Sequence, residues 1–204
     1  MTRAVAILVL LALSRTHAGG DHGGGGHDHC GVYSGPSFPF EWAGAFASQT
    51  VTSTIIFQPK PIATGSSVKA YKEDYVLMSM HPVDAALDST PATDKKKLAE
   101  LLEGAESGAL AIWNVTSPTI VPLADGGTVA MNKLYNLSFS GAFTTLTVPA
   151  QTTPYALYFE HVPLEFEDFT HWIKHGVGED TEPVVTETFN QPTKCTDEHT
   201  GEPQ

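Results

Sequence analysis

Histidines and carboxylates are concentrated between residues 160 and 175, and this is the part of the sequence best suited to chemistry. His171 and His175 are four residues apart, and Glu167 lies four residues before His171. On a helix, this spacing places the three side chains on one face. Imidazole and carboxylate groups bind Zn²⁺ and also Cu²⁺, Ni²⁺ and Co²⁺. The spacing therefore predicts a metal site of Glu167, His171 and His175. His161, at the end of the preceding strand, would complete it.

The same residues also have a structural interpretation that involves no metal. A histidine near a helix C-terminus complements the helix dipole, and a histidine among acidic residues forms ordinary surface ion pairs.

The sequence contains no HExxH pattern of zinc peptidases, no nucleophile elbow, no phosphate-binding glycine loop and no dinucleotide fingerprint. The pattern therefore indicates a binding site rather than one of these enzyme classes.

A second group of histidines lies in a segment rich in Gly, His and Asp over residues 19–37. It contains His22, His27 and His29. A segment with so few apolar residues forms no core, so we expect a flexible arm that collects divalent cations without a preformed geometry, the alternative being a plain linker. Cleavage of the chain before Gly20 would make His22 the third residue, an arrangement that favours square-planar Cu²⁺ or Ni²⁺.

Met78, Met80 and His81 form a third group with metal-binding chemistry. Thioether and imidazole groups together bind Cu(I). However, Met78 and Met80 alternate with Ser79 and share a face with Val76. This alternation favours packing of both methionines in a core.

A secretory signal is predicted over residues 1–18. Arg3 is followed by ten apolar residues, and the small residue Ala18 lies a short distance beyond them. Ten residues are too few to cross a bilayer and match the apolar part of a cleaved signal. We therefore expect a protein outside the cytoplasm, extracellular or periplasmic, with no membrane span in the mature chain.

The charge of the chain argues against nucleic-acid binding. The full sequence carries a formal charge of −12, and its two arginines, Arg3 and Arg15, both lie in the predicted signal. Removal of residues 1–18 leaves nine lysines against 23 acidic residues, which is a formal charge of −14. Phosphate backbones require a cationic surface, whereas an acidic surface attracts cations. Divalent metal ions are therefore the expected partners.

Cys30 and Cys195 lie near the two ends of the expected mature chain. An oxidising compartment permits a disulfide between them, and this is the interpretation that we favour. The alternative is that Cys30 binds metal beside His27 and His29. Two Asn-x-Ser/Thr sequences, at Asn114 and Asn136, are compatible with N-glycosylation in a eukaryotic secretory route.

The elements that must position these residues are mostly β-strands. Short segments rich in Val, Thr and Ile alternate with turns that contain Gly and Pro, a pattern typical of an antiparallel β-sandwich, which we place at residues 38–176. One inserted helix is expected over residues 93–103, followed by a short strand over 109–115. A short C-terminal helix is expected within residues 164–175. Residues 177–204 are predicted to be an acidic extended tail.

Three short motifs resemble those of a known group of proteins. They are EWAG at residues 41–44, YALYFEHVPLEF at residues 155–166 with His171 beyond it, and EDTEP at residues 179–183. The chain resembles secreted or periplasmic domains of marine microalgae and bacteria that are associated with the acquisition of zinc or related metals.

This resemblance implies which residues are the ligands. Glu41, His161 and His171 match the pattern, whereas His175 falls where no fixed ligand is expected. It also implies zinc or a related metal as the bound ion. A membrane metal transporter is a further partner to be considered.

Together, these observations predict a secreted protein that captures or buffers zinc through a folded His/Glu site and a histidine-rich arm. Two alternatives stay open. One is a metal-dependent extracellular lyase or hydrolase, in which an open coordination position activates water. The other is a glycosylated extracellular structural or adhesion domain.

Overall fold

The computed structural model describes residues 37–64, 66–139, 141–167, 171–176 and 178–189. The predicted signal peptide lies outside this part of the chain, as do His22, His27 and His29 of the predicted arm. Cys30 and Cys195 lie outside it too, so their disulfide stays a prediction.

The described residues form thirteen β-strands and one α-helix. In chain order these are β1 (Trp42–Phe46), β2 (Ser53–Phe57), β3 (Lys60–Pro61), β4 (Lys69–Ala70), β5 (Tyr75–Pro82), α1 (Lys95–Trp113), β6 (Ile120–Leu123), β7 (Gly127–Thr128), β8 (Leu134–Ser138), β9 (Thr144–Val148), β10 (Tyr155–Phe159), β11 (Ile173–His175), β12 (Glu179–Asp180) and β13 (Val185–Thr188). Two 3₁₀ helices, Ala85–Ser89 and Pro163–Phe166, follow β5 and β10.

The strands form two packed sheets and a small ribbon. One sheet has the order β13-β1-β10-β5-β8-β6, the other has the order β12-β11-β2-β9-β7, and β3 pairs with β4 alone. All pairs are antiparallel except β6 with β8 and β7 with β9, which are parallel. The predicted fold, a mainly β sandwich with one inserted helix, is confirmed.

The main core lies between the two sheets. Val76, Met78 and Met80 of β5 are fully buried there, together with aromatic residues of β1, β2 and β10. Because side chains alternate along a strand, Leu77, Ser79 and His81 face α1 on the outer side of the same sheet. The expectation that both methionines pack in the core is confirmed.

The helix α1 is longer than the sequence pattern predicted. It begins after Asp94, whose carboxylate accepts a hydrogen bond from the backbone N–H of Lys97. It ends at Trp113, within residues 109–115, where the sequence pattern predicts a strand. The reason is that buried positions recur every three or four residues along its whole length. These are Leu98, Leu101, Leu102, Ala105, Ala109 and Trp113.

Among the described residues, the helical segment expected after Pro163 is present only as the 3₁₀ helix, and the expectation that it continues to His175 is wrong. Trp172 and Ile173 are both buried, and the chain pairs with β2 at this point. Burial of consecutive residues and hydrogen bonding within a sheet override the helical spacing of the sequence. His171 and His175 therefore do not share a helix face.

The described part of the predicted tail takes part in both sheets. β12 pairs with β11, and β13 pairs with β1. Phe189 is buried and packs against Phe40, with ring centroids 4.9 Å apart. Among the described residues, no helix has the length and apolar character needed to cross a membrane.

Candidate functional site

His171 is the histidine with the most carboxylate neighbours in the described part of the chain. Its Nδ1 is 3.5 Å from Glu167 Oε2, and its Nε2 is 3.4 Å from Glu182 Oε1. The His171 side chain is only 13% exposed, whereas that of Glu182 is 72% exposed. The imidazole therefore lies between a half-buried carboxylate on one side and a solvent-exposed carboxylate on the other.

The β11–β12 hairpin explains why Glu182 lies beside His171. Lys174 pairs with Asp180, and the backbone N–H of Thr181 donates to the Ile173 carbonyl. This pairing returns the chain alongside the residues that precede β11. Sequence reasoning assigned no role to Glu182, although Gly176 and Gly178, both with positive φ, mark the intervening turn.

The distances around His171 suit metal ligands better than hydrogen bonds. Hydrogen bonds from a protonated imidazole to a carboxylate are about 2.7–2.9 Å long. Two ligands bound at about 2.0–2.1 Å to one tetrahedral zinc ion are about 3.4 Å apart. The separations of 3.4 Å and 3.5 Å match the second value. Since Nδ1 and Nε2 point away from each other, a single ion would bind between His171 and one of the two glutamates only.

Buried polar atoms at this position lack hydrogen-bond partners. They are His171 Nε2, Glu167 Oε2 and, on the neighbouring loop, Thr181 Oγ1. A buried acceptor without a partner costs about 1–3 kcal/mol, and a bound cation would satisfy it. The chemistry of these atoms therefore fits a divalent metal ion.

His161 forms a second, separate pair with Glu41. The Nδ1 of His161 is 3.6 Å from Glu41 Oε2, and both side chains are partly exposed. The pair exists because β1 and β10 are antiparallel neighbours, and the backbone N–H of Glu41 donates to the Phe159 carbonyl. This separation is also close to that of two ligands on one ion.

An aromatic cluster connects the two histidine–glutamate pairs. Trp172, which follows His171, packs edge-on against Trp42 with ring centroids 5.5 Å apart. Phe159 contacts both indoles, at 5.9 Å from each. Because these rings are buried, they fix the backbone at His171 and at the strand ends that carry the second pair.

His175 lies in a different environment from the one that the sequence predicted. Its Nδ1 is 3.2 Å from Gln49 Oε1, and Ser53 Oγ donates to the same oxygen. The Gln49 amide in turn donates to Tyr155 OH, and burial raises the pKa of Tyr155 above its usual range. The described structure shows no contact between His175 and the carboxylates that lie beside His171, which are those of Glu167 and Glu182. The predicted set of Glu167, His171 and His175 is therefore not assembled.

One cation lies close to the His171 site. Lys174 Nζ is 2.7 Å from Asp180 Oδ1. This hydrogen bond lowers the pKa of Asp180, and the charges of Lys174 and His171 act in the same direction. Asp180 is therefore engaged by Lys174 rather than by His171.

His81 is buried on the sheet face that α1 covers. Its Nε2 is 3.0 Å from Ser79 Oγ, which also accepts a hydrogen bond of 2.7 Å from Trp113 Nε1. Burial lowers the pKa of His81 to about 4, and the Asn132 side chain acts in the opposite direction. His81 is therefore a neutral core residue at pH 7 rather than a surface metal ligand.

The two predicted glycosylation residues lie in different surroundings. Asn114 is exposed at the C-terminal end of α1. Asn136 is only partly exposed, and its Oδ1 is buried without a hydrogen-bond partner. It lies opposite Leu77 on β5, whose side chain faces α1.

Within the described residues, no group of three or more His, Cys, Asp or Glu side chains is arranged to hold a metal ion by itself. Comparisons with family models, with curated proteins and with solved structures find no match for this chain. The resemblance to zinc-acquisition domains therefore stays a prediction. The arrangement of the carboxylates around His171 and His161 is therefore the basis for any functional proposal.

Proposed function

We propose that this protein is a secreted binder of divalent transition metals, zinc above all, with His171 as its central ligand. The observation that carries the proposal is the buried His171 Nε2, which has no hydrogen-bond partner and lies 3.4 Å from Glu182 Oε1. That separation fits two ligands on one tetrahedral ion.

The two glutamates have different roles in this proposal. Glu182 is mostly exposed, so an ion that arrives from solvent reaches its carboxylate and then His171 Nε2. Glu167 lies 3.5 Å from the opposite nitrogen, Nδ1, where its negative charge orients the imidazole without a hydrogen bond of normal length. His171 and Glu182 supply two ligands, and a zinc ion takes four.

The remaining ligands come from outside the sandwich in this proposal. The arm supplies His22, His27 and His29, which are imidazoles on a segment rich in glycine. Within the sandwich, the separate pair Glu41 and His161 supplies a second point of attachment for another ion. The negative charge of the chain raises the local concentration of cations and so promotes their capture.

Calorimetric titration of the mature protein with Zn²⁺ tests the proposal. We expect sub-micromolar binding that His171→Ala weakens by at least about tenfold. Glu182→Gln should weaken binding more than Glu167→Gln, because the first removes a ligand and the second removes an orienting group. His175→Ala is the matched control, since His175 bonds to Gln49 and should leave the isotherm unchanged.

Two outcomes would contradict the proposal. An isotherm that His171→Ala leaves unchanged would remove the folded site. Equal losses in the His171 and His175 variants would indicate general destabilisation, which the unfolding midpoint of each variant measures independently.

Replacement of His22, His27 and His29 by alanine together should weaken binding while leaving the fold intact. Sequencing the N-terminus of protein from its own host tests secretion.

A further inference from the structure

The two ends of the described chain lie side by side. The first described residue is 37 and the last is Phe189, and β1 pairs with β13 in antiparallel register, with Trp42 opposite Thr188. The backbone N–H of Phe189 donates to the Glu41 carbonyl at 2.7 Å. The chain therefore enters its first strand and leaves its last strand at the same corner of the six-stranded sheet.

A cluster of buried aromatic rings fixes this corner. The Phe189 side chain is buried, and its ring centroid lies 4.7 Å from that of Phe38 and 4.9 Å from that of Phe40. Phe40 also packs edge-on against Trp113 of α1. Because this packing holds both strands in place, residues 19–36 and residues 190–204 connect to the sandwich at fixed and neighbouring positions.

The pair of Glu41 and His161 lies at the same corner. Glu41 directly precedes β1, and His161 follows the end of β10 by two residues. The side chains of His161 and Glu41 are 27% and 39% exposed, so ions in solution can reach them. The neighbouring Glu160 is engaged elsewhere, because its Oε2 accepts a hydrogen bond from the backbone N–H of Leu77. Within the part of the chain that the structure describes, no third acidic, His or Cys side chain completes a metal site here.

Each chain end carries a histidine within reach of this pair. His29 precedes Phe38 by nine residues, and His199 follows Phe189 by ten. Ten residues span up to about 35 Å, and a short tether gives a ligand a local concentration that is roughly millimolar. The disulfide predicted between the cysteines at positions 30 and 195 would hold the two histidines closer together still.

We propose that a second zinc ion binds where the two chain ends leave the sandwich, and that its four ligands are Glu41, His161, His29 and His199. This inference rests on the proposed metal-binding function and adds a site that fastens both chain ends to the fold. Four protein ligands leave no open position, which is typical of structural zinc sites. His22 and His27 of the arm stay available to the ion at His171.

Calorimetric titration of the full mature chain with Zn²⁺ tests this site. The wild type should show two binding events, and His171→Ala should weaken only one of them. In the His171→Ala background, His29→Ala and His199→Ala should each weaken the remaining event by at least about tenfold, because each removes a tethered ligand. His22→Ala is the matched control on the arm and should leave that event unchanged.

Spectra of the wild type provide a readout that needs no substitution at either site. Zn²⁺ should shift the ¹H–¹⁵N signals of the His199 ring together with those of the His161 ring. The same titration of His161→Ala should leave the His199 signals in place, because the sandwich then supplies only Glu41. The unfolding midpoint of each variant shows that its fold is retained.

The proposal is overturned if His29→Ala and His199→Ala bind Zn²⁺ as tightly as the His171→Ala background does. It is also overturned if the His199 signals shift to the same extent in His161→Ala, because the chain ends would then bind zinc without the sandwich. Absence of the event that depends on His171 would contradict the proposed function and leave this site standing. Absence of the event that depends on His161 would do the reverse.

Discussion

Lowering the pH should destabilise this protein through His81. This residue is 1% exposed, and burial lowers its pKa to about 4 from an ordinary value of 6.5. As the pH falls below 6.5, the unfolded chain takes up a proton at His81 while the folded chain does not. The stability that His81 contributes is therefore complete above pH 6.5 and is lost progressively as the pH falls towards 4.

The magnitude follows from the two pKa values. Lowering the pH from neutral to 5 should reduce the free energy of unfolding by about 2 kcal/mol through this one group. Urea unfolding of the wild type and of His81→Gln at a series of pH values measures the effect. Groups other than His81 titrate in both proteins, so their contributions cancel in the difference between the two free energies of unfolding.

Two results would refute this role of His81. If His81→Gln shows the same pH dependence as the wild type, His81 is not the group responsible. If the NMR signals of the His81 ring titrate near pH 6.5, the ring is not held neutral by burial. A chelator in all samples prevents metal binding from adding a pH dependence of its own.

Two further predictions concern packing on the two faces of the larger sheet. Ser79→Ala should lower the free energy of unfolding by about 1–3 kcal/mol, because it leaves Trp113 Nε1–H and the ring of His81 without their shared partner. Gly44→Ala should cost about 1–3 kcal/mol, because its Cβ would overlap the indole of β1 that packs against Trp172.

Each of these has a control on α1, and both are measured by denaturant unfolding. Ser107→Ala changes an exposed serine and should alter stability by less than about 0.5 kcal/mol. Gly104→Ala adds a methyl group in open space within a helix and should stabilise by about 0.5–1 kcal/mol. A neutral Gly44→Ala, or equal losses in Ser79→Ala and Ser107→Ala, would contradict the packing described here.

Local periodicity predicted much of the fold and little of the site geometry. The alternation at Val76, Met78 and Met80 correctly predicted a strand with one core face. The spacing of Glu167, His171 and His175 predicted a helix, and there it failed. Two consecutive buried residues and pairing with β2 decide the conformation at that point.

Sequence by itself determined the chemistry that the chain carries: an acidic composition, histidines beside glutamates, and alternating apolar segments able to form a sandwich. Only the tertiary structure decided which of these groups meet. It placed Glu182 beside His171 and Glu41 beside His161, and it buried His81 under α1. The physical reason is that side-chain periodicity is a local property, whereas strand pairing joins residues far apart in the chain.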